Sequence, residues 1–107
     1  MQIKFSARNI QVTDAIQAYA SKKIEKFFRY FNRVQQVEVV IEKAKTGYTV
    51  EIITDVEHHE SFVATSTHED LYACLDLGIN RSIRQLTDHK SRLRDNKHHT
   101  PIGGLET

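Results

Sequence analysis

The chain opens with alternating apolar and polar residues and then changes to apolar residues spaced three and four apart. The alternation predicts a short strand over Ile3–Ala7 with one side buried. The later spacing predicts an amphipathic helix that begins after a capping residue, Thr13 or Asp14, and ends near Asn32. Its apolar positions, which should face the core, are Ile16, Tyr19, Ala20, Ile24, Phe27, Phe28 and Phe31.

Alternation returns in the middle of the chain and predicts three consecutive strands. Val37–Ile41 and Tyr48–Ile52 alternate around the turn signal Lys45–Gly47, which is typical of a β-hairpin. The segment Glu57–Glu60, which contains His58 and His59, breaks this pattern. Phe62–Thr65 then predicts a fourth strand.

A second helical pattern occupies the last part of the chain. Thr67–Asp70 resembles a capping box, with acidic residues suited to the positive end of a helix. Gly78 lies within the helix and costs about 1 kcal/mol relative to Ala, so it indicates either a weaker helix or a close packing contact. Residues 95–107 are polar and contain Pro and Gly, which predicts a flexible tail. The apolar stripe of this helix consists of Leu71, Leu75, Ile79, Ile83, Leu86 and Leu93.

The order of these elements predicts an α+β fold. A β-α-β-β-β-α chain can form a two-layer sandwich in which two helices cover one face of a four-stranded mixed sheet. The first and second strands should run parallel if they are neighbours, and the hairpins antiparallel. We expect one domain over residues 1–94. The face of the sheet turned away from the helices should carry Glu38, Glu42, Glu51 and Asp55 together with Val40, Ile53 and Val63.

Composition agrees with one soluble domain. The chain has 107 residues, of which 39% are hydrophobic and 27% charged. Cys74 is the single cysteine, so no internal disulfide forms. The first ten residues lack the apolar core of a signal peptide, and no apolar run approaches the roughly 20 residues that cross a bilayer. We therefore expect a cytoplasmic protein without a membrane segment.

Charge is strongly segregated although the net charge is only +1. Residues 20–36 hold five basic residues against one acid, a net +4, and residues 77–97 hold six against two, again +4. Residues 37–76 hold nine acids and two lysines, a net −7. Such separation is typical of a one-sided footprint for a polyanion.

The basic residues form a stripe on each predicted helix. Helical spacing brings Lys22, Lys26, Arg29 and Arg33 to one side of the first helix, with Lys23 on its flank. The cations of the second helix that lie opposite its apolar stripe are Arg81, Arg84 and Arg92. Because both helices cover the same side of the sheet, we expect the stripes to merge into one positive surface. The alternative is that each stripe is an ordinary solvated helix face.

Other candidate chemistry is weaker. The pairs His58–His59 and His98–His99 are not spaced for joint metal ligation, so we expect no metal site. Cys74 lies near the buried side of its helix without a partner base, which favours packing over catalysis. Tyr72 fits the core better than a nucleotide contact. We expect no catalytic residue, no cofactor and no small-molecule substrate.

Two groups of segments carry a family resemblance. The first is Lys22–Phe27 with Phe31–Arg33 and Val37–Val40, and the second is Glu69–Asp76 with Arg81–Lys90. They resemble parts of the ribosome hibernation promoting factor and ribosome-associated translation inhibitor family. The first group resembles the first helix and second strand of that family. The second group resembles its Asp-Met-Tyr-Ala-Ala-Ile-Asp signature and the basic helix that follows. Further matches near the start are Asn9, Ile10 and Thr13. The resemblance covers roughly residues 2 to 94.

The resemblance implies a non-enzymatic factor with the fold predicted above. Such a factor binds small-subunit rRNA at the decoding region, blocks messenger and transfer RNA, and inhibits translation in stationary phase or stress. This chain corresponds to a short form, which we expect to be monomeric off the ribosome. The positions that match the family's rRNA-contacting residues are Lys23, Lys26, Arg33, Arg81, Arg84, Lys90 and Arg92. Lys22 and Arg29 are candidates from the stripe alone.

Three departures from the family are visible. Cys74 replaces a usual Ala, a change that a small buried site can absorb. Asp88 stands where the family usually has a basic residue, and His58–His59 replaces a turn that is often Gly-rich. A general double-stranded RNA-binding module stays open as the alternative function.

Overall fold

A computed structural model describes residues 1–98 and contains the six expected elements in the expected order. The strands lie in the sheet in the order β1-β2-β3-β4, with β1 parallel to β2 and the other two pairs antiparallel. The predicted α+β sandwich with a mixed sheet is therefore confirmed. The elements are β1 (Gln2–Arg8), α1 (Asp14–Phe28), β2 (Val34–Ala44), β3 (Gly47–Val56), β4 (Phe62–His68) and α2 (Leu71–His98).

The core lies between the helices and one face of the sheet. Because successive residues of a strand point to opposite faces, alternate positions of β2 and β3 are buried. The strand residues fully removed from solvent include Val37, Val39, Ile41, Val50 and Ile52. The helices bury against them Ile16, Ala20, Ile24 and Phe28 from α1 and Leu71, Leu75, Ile79 and Leu86 from α2.

The opposite face of the sheet carries acidic and β-branched residues, as predicted. Glu38 is paired with Ile53, and Ile53 with Val63, so these three side chains form a row across β2, β3 and β4. Val40 and Glu51 form the next pair. The acids of β2 and β3 are thus separated from the helices by the thickness of the sheet.

Helix α1 begins as expected and ends earlier than expected. The Thr13 hydroxyl accepts a hydrogen bond from the Ile16 amide at 3.2 Å, which makes Thr13 the N-cap. The Phe31 amide donates to the Phe28 carbonyl at 2.9 Å, and this tighter bond closes the helix. The predicted end near Asn32 is therefore wrong, because the last turn gives way to a short connection into β2.

Helix α2 is capped by a different residue from the one predicted. The Asp70 carboxylate accepts from the Ala73 amide at 3.2 Å, and His68 Nδ1 accepts from the Asp70 amide at 2.9 Å. Thr67 does not cap the helix because β4 continues through it, paired with Thr49 of β3. The strand is longer than expected, so the capping role moves three residues along the chain.

Two glycines lie where a side chain has no space. Gly47 begins β3 with a φ of 152°, and a Cβ there would lie 2.7 Å from the His68 carbonyl oxygen. A Cβ on Gly78 would lie 3.1 Å from Ser66 Oγ and 3.2 Å from Ile52 Cδ1. Gly78 therefore marks the close approach of α2 to β3 and β4, which was one of its two sequence interpretations.

Helix α2 passes through the predicted boundary between residues 94 and 95 and continues to His98. The remainder of the predicted tail, residues 99–107, lies outside the described residues. Within residues 1–98, neither helix has the length and apolar character needed to cross a bilayer.

Candidate nucleic-acid interface

The solvent side of α1 carries three of the predicted cations. Ile24 and Phe28 are buried against the sheet and fix the orientation of the helix. Lys22, Lys26 and the C-cap residue Arg29 lie on the opposite side and are exposed. This part of the predicted stripe is present.

Arg33 lies off the helix, in the connection between α1 and β2. Because α1 ends at Phe28, the helical spacing used to align Arg33 with Lys26 does not apply to it. The Arg33 carbonyl oxygen accepts a hydrogen bond from the Glu57 amide at 2.9 Å, which ties this connection to the turn between β3 and β4. The prediction of Arg33 as a helical residue is wrong, but Arg33 stays exposed near the same end of the molecule.

Lys23 is engaged at the contact between the two helices. Its Nζ lies 2.5 Å from Asp76 Oδ1 on α2, and the Tyr19 hydroxyl donates to the same oxygen at 2.8 Å. The Tyr19 ring also packs edge-on against the Tyr72 ring, with 4.9 Å between centroids. Lys23 is therefore a structural cation as well as a candidate contact.

Lys23 and Tyr19 share one oxygen of Asp76, and this contact shifts the pKa of all three side chains. The hydrogen bond to Asp76 raises the pKa of the Tyr19 hydroxyl and that of the Lys23 ammonium. Burial tends to raise the pKa of Asp76, but the hydrogen bonds from Lys23 and Tyr19 outweigh it and hold the pKa below its ordinary value. At neutral pH the pair is fully charged.

Two polar residues of α2 lie over the outer edge of the sheet. Arg81 donates to the Thr65 carbonyl oxygen, and Gln85 Nε2 donates to the Val63 carbonyl oxygen at 2.9 Å. These carbonyls belong to β4, an edge strand, and point away from β3. Since Arg81 and Gln85 are four residues apart, one flank of the helix covers this edge.

The other flank of α2 faces α1 and carries Lys90. Lys90 Nζ donates to the Tyr30 carbonyl oxygen at 3.2 Å and lies 5.6 Å from the centre of the Phe31 ring. Arg84 is exposed between the two flanks, and Arg92 follows Arg81 by about three turns on the β4 side. The cations of α2 thus lie on both flanks and, at Arg84, between them, so the predicted merging with α1 is limited to the flank of Lys90.

Two tyrosines are exposed, and one of them, Tyr72, was predicted to fit the core. Tyr30 is 60% exposed, and the Arg29 guanidinium lies 5.1 Å from its ring centre and donates to its hydroxyl at 3.1 Å. This hydrogen bond lowers the pKa of Tyr30. Tyr72 is 39% exposed, so its interpretation as a core residue is wrong. The signal for Tyr30 was available in the sequence, because this residue falls outside the apolar stripe of α1.

Cys74 has a packing role. It is fully buried, and its thiol lies 3.3 Å from the Ser66 carbonyl oxygen, to which it donates. The Ser66 hydroxyl in turn donates to the Cys74 carbonyl oxygen at 2.8 Å. In the part of the chain that the structure describes, no three His, Cys, Asp or Glu side chains converge as a metal site requires.

Comparison with known proteins assigns the chain to a family. Residues 3–94 match the sequence model of the sigma 54 modulation protein / S30EA ribosomal protein family. The chain belongs to this family. The S30EA family match covers both helices to residue 94 and all four strands, so every candidate cation lies within it. The family resemblance found in the sequence is confirmed.

Two relatives agree with this assignment. The chain is 36% identical over 92 residues to the ribosome hibernation promoting factor of Azotobacter vinelandii, covering 86% of this chain and 85% of that protein. It is 33% identical over 94 residues to that of Escherichia coli K12, covering 88% and 98%. These names support a ribosome-binding role in hibernation.

Two solved structures share the fold. The N-terminal domain of Thermus thermophilus protein Y superposes with a TM-score of 0.75 at 30% identity, covering 83% of this chain and 99% of that one. A ribosomal subunit interface protein from Coxiella burnetii superposes with a TM-score of 0.79 at 16% identity, covering 85% and 99%, and supports the fold alone.

Proposed function

We propose that this chain is a non-enzymatic hibernation factor that binds rRNA of the small ribosomal subunit at the decoding region. There it occupies space that messenger and transfer RNA need and so inhibits translation in stationary phase or stress. It acts in the cytoplasm and is monomeric off the ribosome. The observation that carries this proposal is the S30EA family match over residues 3–94.

The distribution of charge supports RNA as the partner. Lys22, Lys26 and Arg29 are presented by α1, and Arg84 by the exposed side of α2. The acids of β2 and β3 lie on the far face of the sheet, where they do not repel phosphates approaching the helices. The remaining candidate contacts are Lys23, Arg33, Arg81, Lys90 and Arg92.

Tyr30 adds a contact of a different kind. An exposed aromatic ring beside Arg29 can stack on an unpaired base, and stacking of this type needs no particular sequence. In this mechanism phosphate contacts provide most of the affinity, and the fixed shape of the ribosomal cleft provides selectivity.

A pair of triple variants tests the interface. The first, Lys22→Gln with Lys26→Gln and Arg84→Gln, removes three cations from the helical layer. Its matched control changes three exposed cations elsewhere, Lys4, Arg8 and Lys45, to Gln. We expect the first variant to lose cosedimentation with small subunits and inhibition of translation in a cell-free system, and the control to retain both.

Three results would count against the proposal. Equal loss of binding in both variants would indicate attraction by net charge alone, and retained binding in the first variant would remove the helical layer from the interface. Complete displacement from the subunit by an excess of unrelated duplex RNA would favour the general double-stranded RNA-binding module. Circular dichroism of both variants checks that the fold is intact.

A further inference from the structure

Two histidine rings meet at the end of the molecule where α1 gives way to β2, and two arginines lie near enough for their charges to act on one of them. We call them the end cluster: His59 in the turn between β3 and β4, His89 and Arg92 on α2, and Arg33 in the connection after α1. The rings of His59 and His89 are 4.5 Å apart between centroids. Both contact the Phe62 ring, at 4.6 Å and 5.4 Å.

The backbone holds the end cluster in place. The hydrogen bond from the Glu57 amide to the Arg33 carbonyl oxygen joins the two loops that carry Arg33 and His59. The His59 amide donates to the Val56 carbonyl oxygen at 3.1 Å, which closes a tight turn in which His58 has a φ of 60°. His59 is therefore positioned by its turn and by its stacking on Phe62.

The end cluster combines two arginines with two ionisable imidazoles and has no paired acid among the described residues. Burial lowers the pKa of His89, and the charges of His59, Arg92 and Arg33 lower it further. The acids nearest to the end cluster along the chain are Glu57, Glu60 and Asp88. None of them forms a salt bridge with it, because within residues 1–92 the single salt bridge joins Lys23 and Asp76. Asp55 lies on the far face of the sheet and accepts a hydrogen bond from Ser61. An anion would relieve the repulsion within the cluster.

The hydrogen bonding of His59 leaves a nitrogen available to a ligand. His59 Nδ1 lies 2.7 Å from the Glu60 carbonyl oxygen. A carbonyl oxygen can only accept, so Nδ1 carries the proton of the neutral ring and Nε2 has none. When the imidazole gains a second proton, Nε2 becomes a donor suited to a phosphate oxygen.

We propose that the end cluster is a phosphate-binding site whose affinity increases as the pH falls, and that a backbone phosphate of the bound RNA occupies it. The RNA occupant rests on the proposed function; the anion site itself does not. An anion stabilises the charged imidazoles, so binding takes up protons, and by linkage a lower pH favours the bound state. The effect develops below the ordinary histidine pKa of 6.5, because the pKa of His89 is lowered in the free protein.

Sulfate tests the site without RNA, because its charge does not change over the relevant pH range. We expect sulfate to raise the pKa of His89, followed by NMR of the imidazole protons, and to raise the melting temperature more at about pH 5.5 than at about pH 8. Sodium chloride at the same ionic strength is the reference. His59→Gln with His89→Gln should remove the pH dependence and leave the general salting-out effect of sulfate.

His58 provides the matched control. It is exposed and adjacent to His59, but it has no part in the ring stack. Asn accepts the left-handed backbone of this position, so His58→Asn keeps the turn. We expect this variant to bind sulfate as the wild type does. Equal sulfate effects in the wild type and in the double Gln variant would overturn the proposal.

Binding to small subunits tests the occupant. At about pH 6 the slope of log affinity against log salt should be steeper by about one than at about pH 8, because one more phosphate is neutralised. The double Gln variant should have the same slope at both pH values. A sulfate effect without this change in slope would mean that the site binds free anions only. It would overturn the proposal that an RNA phosphate occupies the site. If the wild type does not bind small subunits at all, the proposed function is overturned. The sulfate experiment still decides whether the end cluster binds anions.

Discussion

Asp76 determines how Lys23 is used. The carboxylate accepts from both Lys23 and Tyr19, so the ammonium group is held between the helices instead of projecting with Lys22 and Lys26. An ion pair of this kind lies where the helices must pack, and it restricts their relative position. Neutralising Lys23 should therefore affect the fold as well as the partner.

Replacing Asp76 with Asn should change how stability depends on pH. The pKa of Asp76 is lowered in the folded state, so its contribution is present above its ordinary value of 3.8 and is lost as the pH falls through the folded-state pKa. Both side chains are about one-third exposed, which limits the loss at neutral pH to about 0.5–1 kcal/mol. Urea denaturation at about pH 7 and about pH 2.5 measures this loss, and the difference in stability between wild type and Asp76→Asn should narrow at the lower pH. A gap of constant size would contradict the pair's role, and Asp88→Asn on the exposed side of α2 is the control.

Helix α2 protects an edge of the sheet in addition to closing the core. The outward carbonyls of β4 at Val63 and Thr65 would otherwise be open to another strand. Arg81 and Gln85 cover these carbonyls. Their side chains reach β4 because Gly78 lets the helix approach the sheet closely. The same helix presents Arg84 to solvent, so structural and candidate binding cations alternate along it.

Variants at Arg81 and Arg84 should separate these roles. Arg81→Gln removes the hydrogen bond to Thr65, and we expect it to lower the free energy of unfolding by about 0.5–1 kcal/mol. Arg84→Gln should leave stability unchanged and weaken binding to small subunits. Urea denaturation and cosedimentation measure the two effects. A destabilisation of equal size in both variants would show that the contact with β4 has no special role.

At the scale of the whole molecule, the sheet separates two charge environments. The helical layer and its connections hold the basic segments, and the far face of the sheet holds Glu38, Glu42, Glu51 and Asp55. A net charge of +1 therefore conceals a dipolar molecule. Such a molecule can approach a polyanion in one orientation, with its helices first.

Binding to small subunits should depend strongly on salt. With about six phosphates neutralised, affinity should fall on the order of a thousandfold between about 50 and about 200 mM salt. Filter binding or cosedimentation over this range measures the slope. A nearly flat dependence would mean that shape and apolar contacts dominate, and it would contradict an interface built on these cations.

Local patterns were sufficient for most of the fold. Alternation identified β2 and β3, and the spacing of Ile16, Ala20 and Ile24 identified α1, because burial of one face imposes these periods on any strand or helix. The errors lie at boundaries. Thr67 and Asp70 both suit an N-cap, and the pairing of Thr67 with Thr49 on the neighbouring strand, which lies beyond the reach of a local pattern, decided between them.

The candidate site was only partly predictable for the same reason. Helical spacing determined that Lys22 and Lys26 share the exposed side of α1, since that relation is local. The engagement of Lys23 with Asp76, of Arg81 with Thr65 and of Lys90 with Tyr30 joins residues 53, 16 and 60 positions apart. Periodicity within one helix carries no information about such partners.

The sequence by itself determined the order of elements, the face that each element buries and the segregation of charge, because all three follow from the spacing of residue types along a few turns or strand residues. The tertiary structure alone decided which cations are already engaged, and it alone brought His59, His89, Arg33 and Arg92 together. These depend on the angle and distance at which packed elements meet, and side-chain volumes across the whole core set that geometry.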